Sequence, residues 1–181
     1  MIFKNCTFFN ENFEKEYGDI EIENGKIKQI GILDGEGKDM SGKIIIPGFI
    51  DVHIHGCAGG DASDADKSGL EKMAKELAKH GVTSFCPTSM TLPKEKLENI
   101  VETVKEFKSE SHEGSKVIGI NLEGPFIAMS KKGAQNAEYV RGGTIEEFDD
   151  LYKKSGELVK LITIAPEALN KEKFINHAKD Y

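Results

Sequence analysis

Two histidines one residue apart, His53-Ile54-His55, end an apolar segment from Phe49 to Ile54 that reads as a buried-type strand. Residues i and i+2 of a strand point to one face, so both imidazoles can aim at a single ion. Neutral imidazole suits Zn²⁺, Fe²⁺, Ni²⁺ or Cu²⁺. The bland alternative is a pair of strand-end histidines hydrogen-bonded to backbone. Asp51 before the pair, and Gly56, Gly59 and Gly60 after it, favour the metal reading. Glu123 closes another apolar segment, Val117 to Leu122, and is followed by Gly124-Pro125-Phe126. A carboxylate there can face the same mouth and add a hard oxygen ligand; taken alone, it suits a turn cap or a salt bridge equally well. The long loop from Glu123 to Gly143 carries Lys131-Lys132-Gly133-Ala134-Gln135-Asn136. Long loops in compact domains are often functional. Gln135 and Asn136 can hydrogen-bond sugar hydroxyls or an amide, whereas Lys131 and Lys132, which can meet a phosphate, read first as a solvated face.

Other polar residues suggest local roles. His80 falls in the last turn of a helix, where histidine complements the exposed carbonyls. His112 lies in a polar loop and His177 in a helix. Cys57 and Cys86 read as packed thiols, while Asp61, Asp64 and Asp66 read as loop or capping residues. Glu167 sits at a strand mouth but reads as structural.

The elements that must position these groups fall into two patterns. The first fifty residues alternate short strand-like runs with turns: Ile2 to Phe9, Asp19 to Ile22, the Asn24-Gly25 hairpin signal, Lys26 to Ile32, and an apolar run from Lys43 to Ile46. After Pro47 the period changes. Helices are predicted over Ser68–His80, with Leu70, Met73, Ala74, Leu77 and Ala78 on one face, and over Pro93–Lys108, with Leu97, Ile100, Val101, Val104 and Phe107 on one face. Thr144 and Glu147 form a capping-box signature for a third helix, and Lys171 to Lys179 reads as a fourth. Strands are expected at Phe49–Ile54, Val82–Cys86, Val117–Leu122 and Leu158–Ala165. Four βα units in a row call for an α/β fold with a parallel sheet. That sheet is either doubly wound or the first half of a (β/α)₈ barrel. A whole barrel needs about 250 residues, roughly twice the length remaining after the β segment, so the chain is expected to be truncated.

Composition narrows the function classes. The 181 residues carry 24 Lys plus Arg against 31 Asp plus Glu, a net charge of −7. With the lysines scattered, no basic stripe is offered to a phosphate backbone, so no nucleic-acid partner is expected. The three cysteines are widely spaced without a CxxC pair, which suggests reduced thiols. No basic, apolar leader opens the sequence, and no apolar run approaches the ~20 residues of a membrane span. A soluble, cytoplasmic protein without a membrane partner is expected.

The motifs together resemble one family. Pro47-Gly48-Phe49-Ile50-Asp51-Val52-His53-Ile54-His55-Gly56 and Gly81-Val82-Thr83-Ser84-Phe85-Cys86-Pro87-Thr88 look like the first two barrel strands of amidohydrolases. Leu122-Glu123-Gly124-Pro125-Phe126, Lys132-Gly133-Ala134-Gln135-Asn136-Ala137-Glu138-Tyr139 and Ile162-Thr163-Ile164-Ala165-Pro166-Glu167 are similar to the N-acetylglucosamine-6-phosphate deacetylases. The resemblance runs from about residue 17 onward. It implies a β-sandwich part over residues 1–48, incomplete alone, and the first half of a (β/α)₈ barrel over 49–181. It makes Glu123 a ligand of the principal metal and His53 and His55 ligands of the second site in two-metal members. The cofactor is then one or two divalent ions, Zn, Fe, Mn, Ni or Co, per complete site. It places Ala134 and Gln135 at the substrate-contact pair, although many members carry His where Gln135 stands. The implied reaction is metal-assisted hydrolysis of the acetamide of a small sugar phosphate, with a catalytic aspartate for which this chain has no matching position.

Residues 1–181 alone are therefore expected not to turn over substrate. Two other readings stay open. One is a different amidohydrolase, acting on cyclic amides or deaminating, which would lack the Glu-Gly-Pro-Phe block and carry a carboxylated lysine. The other is a non-catalytic module that binds without releasing acetate. A half barrel also leaves sheet edges and an apolar wall uncovered, so self-association into a homo-oligomer is expected.

Overall fold

Runs of β-branched and aromatic residues pair at the start of the chain. In the computed structural model, which describes residues 1–168 and 172–181, β1 (Ile2–Phe9) pairs antiparallel with β2 (Lys15–Glu23). β2 pairs antiparallel with β3 (Lys26–Gly31), and the short β4 (Lys38–Asp39) runs parallel to β1, giving the order β3-β2-β1-β4. Asn24 and Gly25 turn β2 into β3 with φ of 51° and 74°, the positive values that Asn-Gly tolerates in a two-residue hairpin. The segment Lys43–Ile46 is not the strand its composition predicts; it makes a single bridge, Ile44 to Thr7. This sheet belongs to the first of two compact units, Met1–Pro47; the second is Gly48–Tyr181.

The apolar centre of the first unit is small: Cys6, Phe8 and Ile20 are buried, with Phe3, Ile22, Met40 and Ile45 against them. A buried charge ties it together. The Asp19 carboxylate accepts the backbone N–H of Leu33 at 3.0 Å, the Lys4 ammonium at 2.9 Å and the N–H of Asn5 at 2.9 Å. The Leu33 N–H, then Lys4, then Asn5 hold its carboxyl at about 2. A carboxyl lowered in the folded state contributes stability above its ordinary value near 4, lost as the pH falls from about 4 through 2. Asp19→Asn is accordingly expected to melt below the native chain at pH 7 and to converge with it near pH 2, which thermal melts across that range will show.

The second unit alternates strands and helices: β5 (Phe49–Ile54), β6 (Gly56–Cys57), β7 (Gly60–Asp61), α1 (Lys67–Lys79), β8 (Val82–Ser89), α2 (Lys94–Ser109), β9 (Lys116–Val117), β10 (Ile120–Glu123), α3 (Ile145–Lys154), β11 (Val159–Thr163) and α4 (Glu172–Lys179). The spatial order is β5-β8-β10-β11, every pair parallel, with β9 also pairing β8. Each strand adds on the same side as the last, without the reversal that creates the switch point of a doubly wound sheet. The result is a mixed α/β fold of parallel sheet and helices.

Helix faces follow the sequence period. Leu70, Met73, Ala74 and Leu77 of α1, and Leu97, Ile100, Val101, Val104 and Phe107 of α2, are buried in one core. Asp66 caps α1 by accepting the N–H groups of Ser68 and Gly69, satisfying two donors the helix itself leaves free. His80 sits one residue past that helix as its C-cap. Thr144 caps α3 by accepting the Glu147 N–H at 3.1 Å. The reciprocal half of the capping box is not made, because the Glu147 carboxylate is taken by the Arg141 guanidinium.

Three strands differ from their predicted form. Phe49, Ile50 and Val52 of β5 are exposed rather than buried, because β5 is an edge strand paired only with β8. β8 continues through Pro87 to Ser89. Proline removes a ladder donor there, and beside it the Ile54 N–H donates to the Thr88 hydroxyl at 3.0 Å. The expected strand Val117–Leu122 is broken at Ile118-Gly119. A Cβ on Gly119 would stand 2.6 Å from the Lys160 side chain, so any other residue there would force Lys160 of β11 to move. Lys171, the expected start of the fourth helix, lies outside the described residues. No helix among those described is long and apolar enough to cross a membrane.

Candidate metal centre

The C-terminal ends of parallel strands lie at one edge of a sheet, and this fold brings two of them to the same place. β5 ends at Ile54, so His53 and His55 flank its last residue; Glu123 ends β10. Between these strands runs β8, with Pro87 beside Ile54 and Ser89 beside Leu122. Glu123 Oε2 lies 2.7 Å from His53 Nε2 and 3.0 Å from His55 Nε2. All three ligand atoms lie within 4.8 Å of one another, the one group of three or more such residues among those described. The side chains are 50%, 32% and 24% exposed for His53, His55 and Glu123, so the cluster opens to solvent and an ion has a way in.

Each ligand is oriented from behind. The Asp51 carboxylate accepts the His53 N–H at 3.0 Å, fixing the backbone between the two residues. His55 Nδ1 lies 3.1 Å from the carbonyl oxygen of Thr88. A carbonyl only accepts, so Nδ1 carries the proton, and in the neutral ring the Nε2 lone pair faces Glu123. The other oxygen of Glu123, Oε1, accepts the Gln135 side-chain amide at 2.8 Å. Burial pushes the Glu123 carboxyl up, but the Gln135 amide and the two imidazoles outweigh it and hold the group below its ordinary value. The carboxylate is thus charged at neutral pH.

This arrangement supplies its own test of fit. A neutral His55 presents a lone pair to an anionic oxygen at 3.0 Å, a repulsive contact unless a cation stands between them. An extra proton or a metal ion removes the repulsion. Nitrogen and oxygen ligands of one first-row ion, each about 2.0–2.2 Å from it, stand roughly 2.8–3.1 Å apart at octahedral angles and about 3.3–3.6 Å apart at tetrahedral ones. His55 and Glu123 already have such a spacing, and His53 need open by only a few tenths of an ångström. Two imidazoles and one carboxylate are also the donor types such ions take, so the residues fit a divalent metal.

The remaining sequence candidates are dispersed. Ala134 is exposed on the loop, whereas Gln135 is 4% exposed, its amide held by Glu123 and by the Thr91 N–H. Asn136 caps a short turn by accepting the Glu138 N–H. Lys131 is exposed, but Lys132 departs from a solvated reading: its ammonium donates to the carbonyls of Gln135 at 2.9 Å and Gly133 at 3.2 Å, closing the loop on itself. Glu167 is exposed in the turn after β11. His80 meets Glu76, His112 stacks on Phe107, and His177 meets Asp149. Cys57 packs against the core, and burial pushes its thiol up, away from thiolate chemistry.

Thr88 and Thr91 were not singled out by type or spacing, yet both act at this centre. Thr88 orients His55 and receives the Ile54 N–H; Thr91 anchors Gln135 through its N–H at 2.7 Å. The one sequence signal was their position at the mouth of the second strand. Gly124 also belongs here: its φ is +81°, and a Cβ would stand 2.2 Å from Thr91 Oγ1. Gly124→Ala is expected to cost about 2–3 kcal/mol and to lower the thermal midpoint by roughly 5–10 °C, with weaker ion binding; an unchanged melt would contradict the close approach.

The family model described as "Amidohydrolase family" matches residues 44–173. The chain is similar to the N-acetylglucosamine-6-phosphate deacetylase of Bacillus subtilis, 31% identical over 99% of this chain and 48% of that protein. It is 42% identical to the human protein of the same name over 73% of this chain and 33% of that one. The crystal structure of the Thermotoga maritima N-acetylglucosamine-6-phosphate deacetylase superposes with a TM-score of 0.83 at 30% identity, covering 99% of this chain and 46% of that one. The chain spans half or less of the length of each of these relatives. By its strand-end motifs and by this match over most of its length, the chain belongs to the amidohydrolase family.

Proposed function

We propose that His53, His55 and Glu123 hold one divalent first-row ion, and that the chain carries part of a site that hydrolyses N-acetylglucosamine-6-phosphate to glucosamine-6-phosphate and acetate. The observation that carries this is the approach of two imidazole nitrogens to a single carboxylate oxygen, with all three ligand atoms within 4.8 Å of one another. The names of the relatives support the substrate. The unreversed strand order supports reading residues 49–181 as the first half of a (β/α)₈ barrel, since a barrel adds each strand beside the last. Residues 1–48 are then part of a β-sandwich.

Bound there, a divalent ion supplies Lewis acidity toward an acetamide carbonyl and toward water. The chain's own residues do the rest. His53 and His55 offer neutral nitrogen ligands, Asp51 and Thr88 hold them in register, and Glu123 brings the negative charge. Ala134, exposed on the loop beside the site, is the proposed sugar contact; the amide of Gln135 is already engaged within the protein.

One observation favours a second reading for residues 1–181 by themselves, that of a binding module. The cluster holds a single carboxylate, and it is a ligand, which leaves no second carboxylate within the cluster to carry a proton to the leaving amine. Metal-loaded 1–181 is expected to bind zinc and release no acetate from N-acetylglucosamine-6-phosphate. A polypeptide of the relatives' length containing these residues is expected to release acetate from that sugar phosphate and leave dihydrouracil untouched. Turnover of the cyclic amide instead would overturn the substrate assignment. Exposed Phe49, Ile50 and Val52 on an edge strand support self-association of 1–181, so light scattering is expected to give a mass above the 19.9 kDa of one chain.

A further inference from the structure

We infer that Gln135 is a positioning residue that makes Glu123 a one-oxygen ligand, keeping part of the ion's coordination sphere open. The inference rests on the metal reading above and adds a role to a residue otherwise expected to meet substrate. Gln135 is 4% exposed, so its amide must find partners within the protein. A backbone N–H can only donate, and the Thr91 N–H lies 2.7 Å from Gln135 Oε1. That contact fixes which end of the amide is oxygen and turns Nε2 toward Glu123 Oε1 at 2.8 Å. Lys132 holds the same residue from the backbone side, donating to its carbonyl at 2.9 Å.

The consequence lies in what Glu123 can then do. With Oε1 occupied, Oε2 alone faces His53 and His55. A carboxylate with both oxygens free can rotate and chelate through both, filling a position that a reacting site needs for water or substrate. Outer partners of this kind commonly change metal affinity ten- to a hundredfold. Neutral imidazole also offers one acceptor and one donor on its two nitrogens. Histidine in place of Gln135 can therefore satisfy both Thr91 and Glu123.

The test uses the 181-residue chain and cobalt(II), whose visible d–d band weakens as coordination number rises. Gln135→Ala is expected to bind cobalt ten- to a hundredfold more weakly than the native chain and to show a weaker band, as Glu123 swings to chelate. Gln135→His is expected to restore both affinity and spectrum. Should Q135A fail to fold by circular dichroism, Q135M, which keeps the volume without the hydrogen bonds, carries the same expectations. Native and Q135A (or Q135M) spectra of equal intensity and shape would overturn the positioning role while leaving the metal reading standing. Absence of cobalt binding by the native chain would overturn both.

Discussion

Glu123→Ala is expected to weaken zinc binding by residues 1–181 by more than about a hundredfold, beyond what loss of an outer partner causes. Glu123 is the sole anionic ligand of the cluster, and its Oε2 is the atom both imidazole nitrogens face. Without it, two neutral nitrogens must hold a doubly charged ion unaided. The same variant gives a stability signature. An ion that binds only the folded chain stabilises it, by about 2.7 kcal/mol at a hundred times its Kd. Chelation of zinc is thus expected to lower the melting point of the native chain by several degrees, and to leave Glu123→Ala unmoved. Zinc binding should also weaken as the pH falls, because protons compete for the same imidazole lone pairs. Calorimetric titration with zinc checks the first expectation, and melts with and without chelator check the second. Equal zinc affinity of the two chains would remove Glu123 from the site.

Phe126→Ala is expected to destabilise the second unit by about 3–5 kcal/mol, a fall of roughly 6–20 °C in the thermal midpoint. The ring is fully buried, three residues beyond Glu123, and packs T-shaped with Phe174 at 5.6 Å between centroids. Its carbonyl accepts the Ala165 N–H at 2.8 Å, so the segment after Glu123 is fastened to the end of β11. Emptying this position leaves a cavity directly behind the ligand-bearing strand. Zinc affinity should fall with stability. Phe13→Ala, at an 88% exposed position, should move the melt by no more than about 0.5 kcal/mol. Equal effects of the two substitutions would contradict the packing.

What could be read from the sequence was what repeats within one element. Leu97, Ile100, Val101, Val104 and Phe107 recur at helical spacing, and all five are buried. The i, i+2 spacing of His53 and His55 put both on one mouth for the same reason. What escaped depends on chain segments far apart. Thr88 lies 33 residues from the ring it orients, and Thr91 lies 44 residues from Gln135. No period or local preference reports such pairs. The exposure of Phe49, Ile50 and Val52 also turned on a neighbour, since an apolar strand reads the same at the edge of a sheet as in its middle. Glu147 shows a different, local limit: its spacing from Thr144 signals a cap, but Arg141, six residues before it, competes for the carboxylate.

Anomalous diffraction at the zinc edge from crystals of the zinc-loaded chain tests the central claim most directly. The geometry predicts one strong peak about 2.0–2.2 Å from His53 Nε2, His55 Nε2 and Glu123 Oε2. A peak on His80, His112 or His177 with none between these three atoms would contradict it.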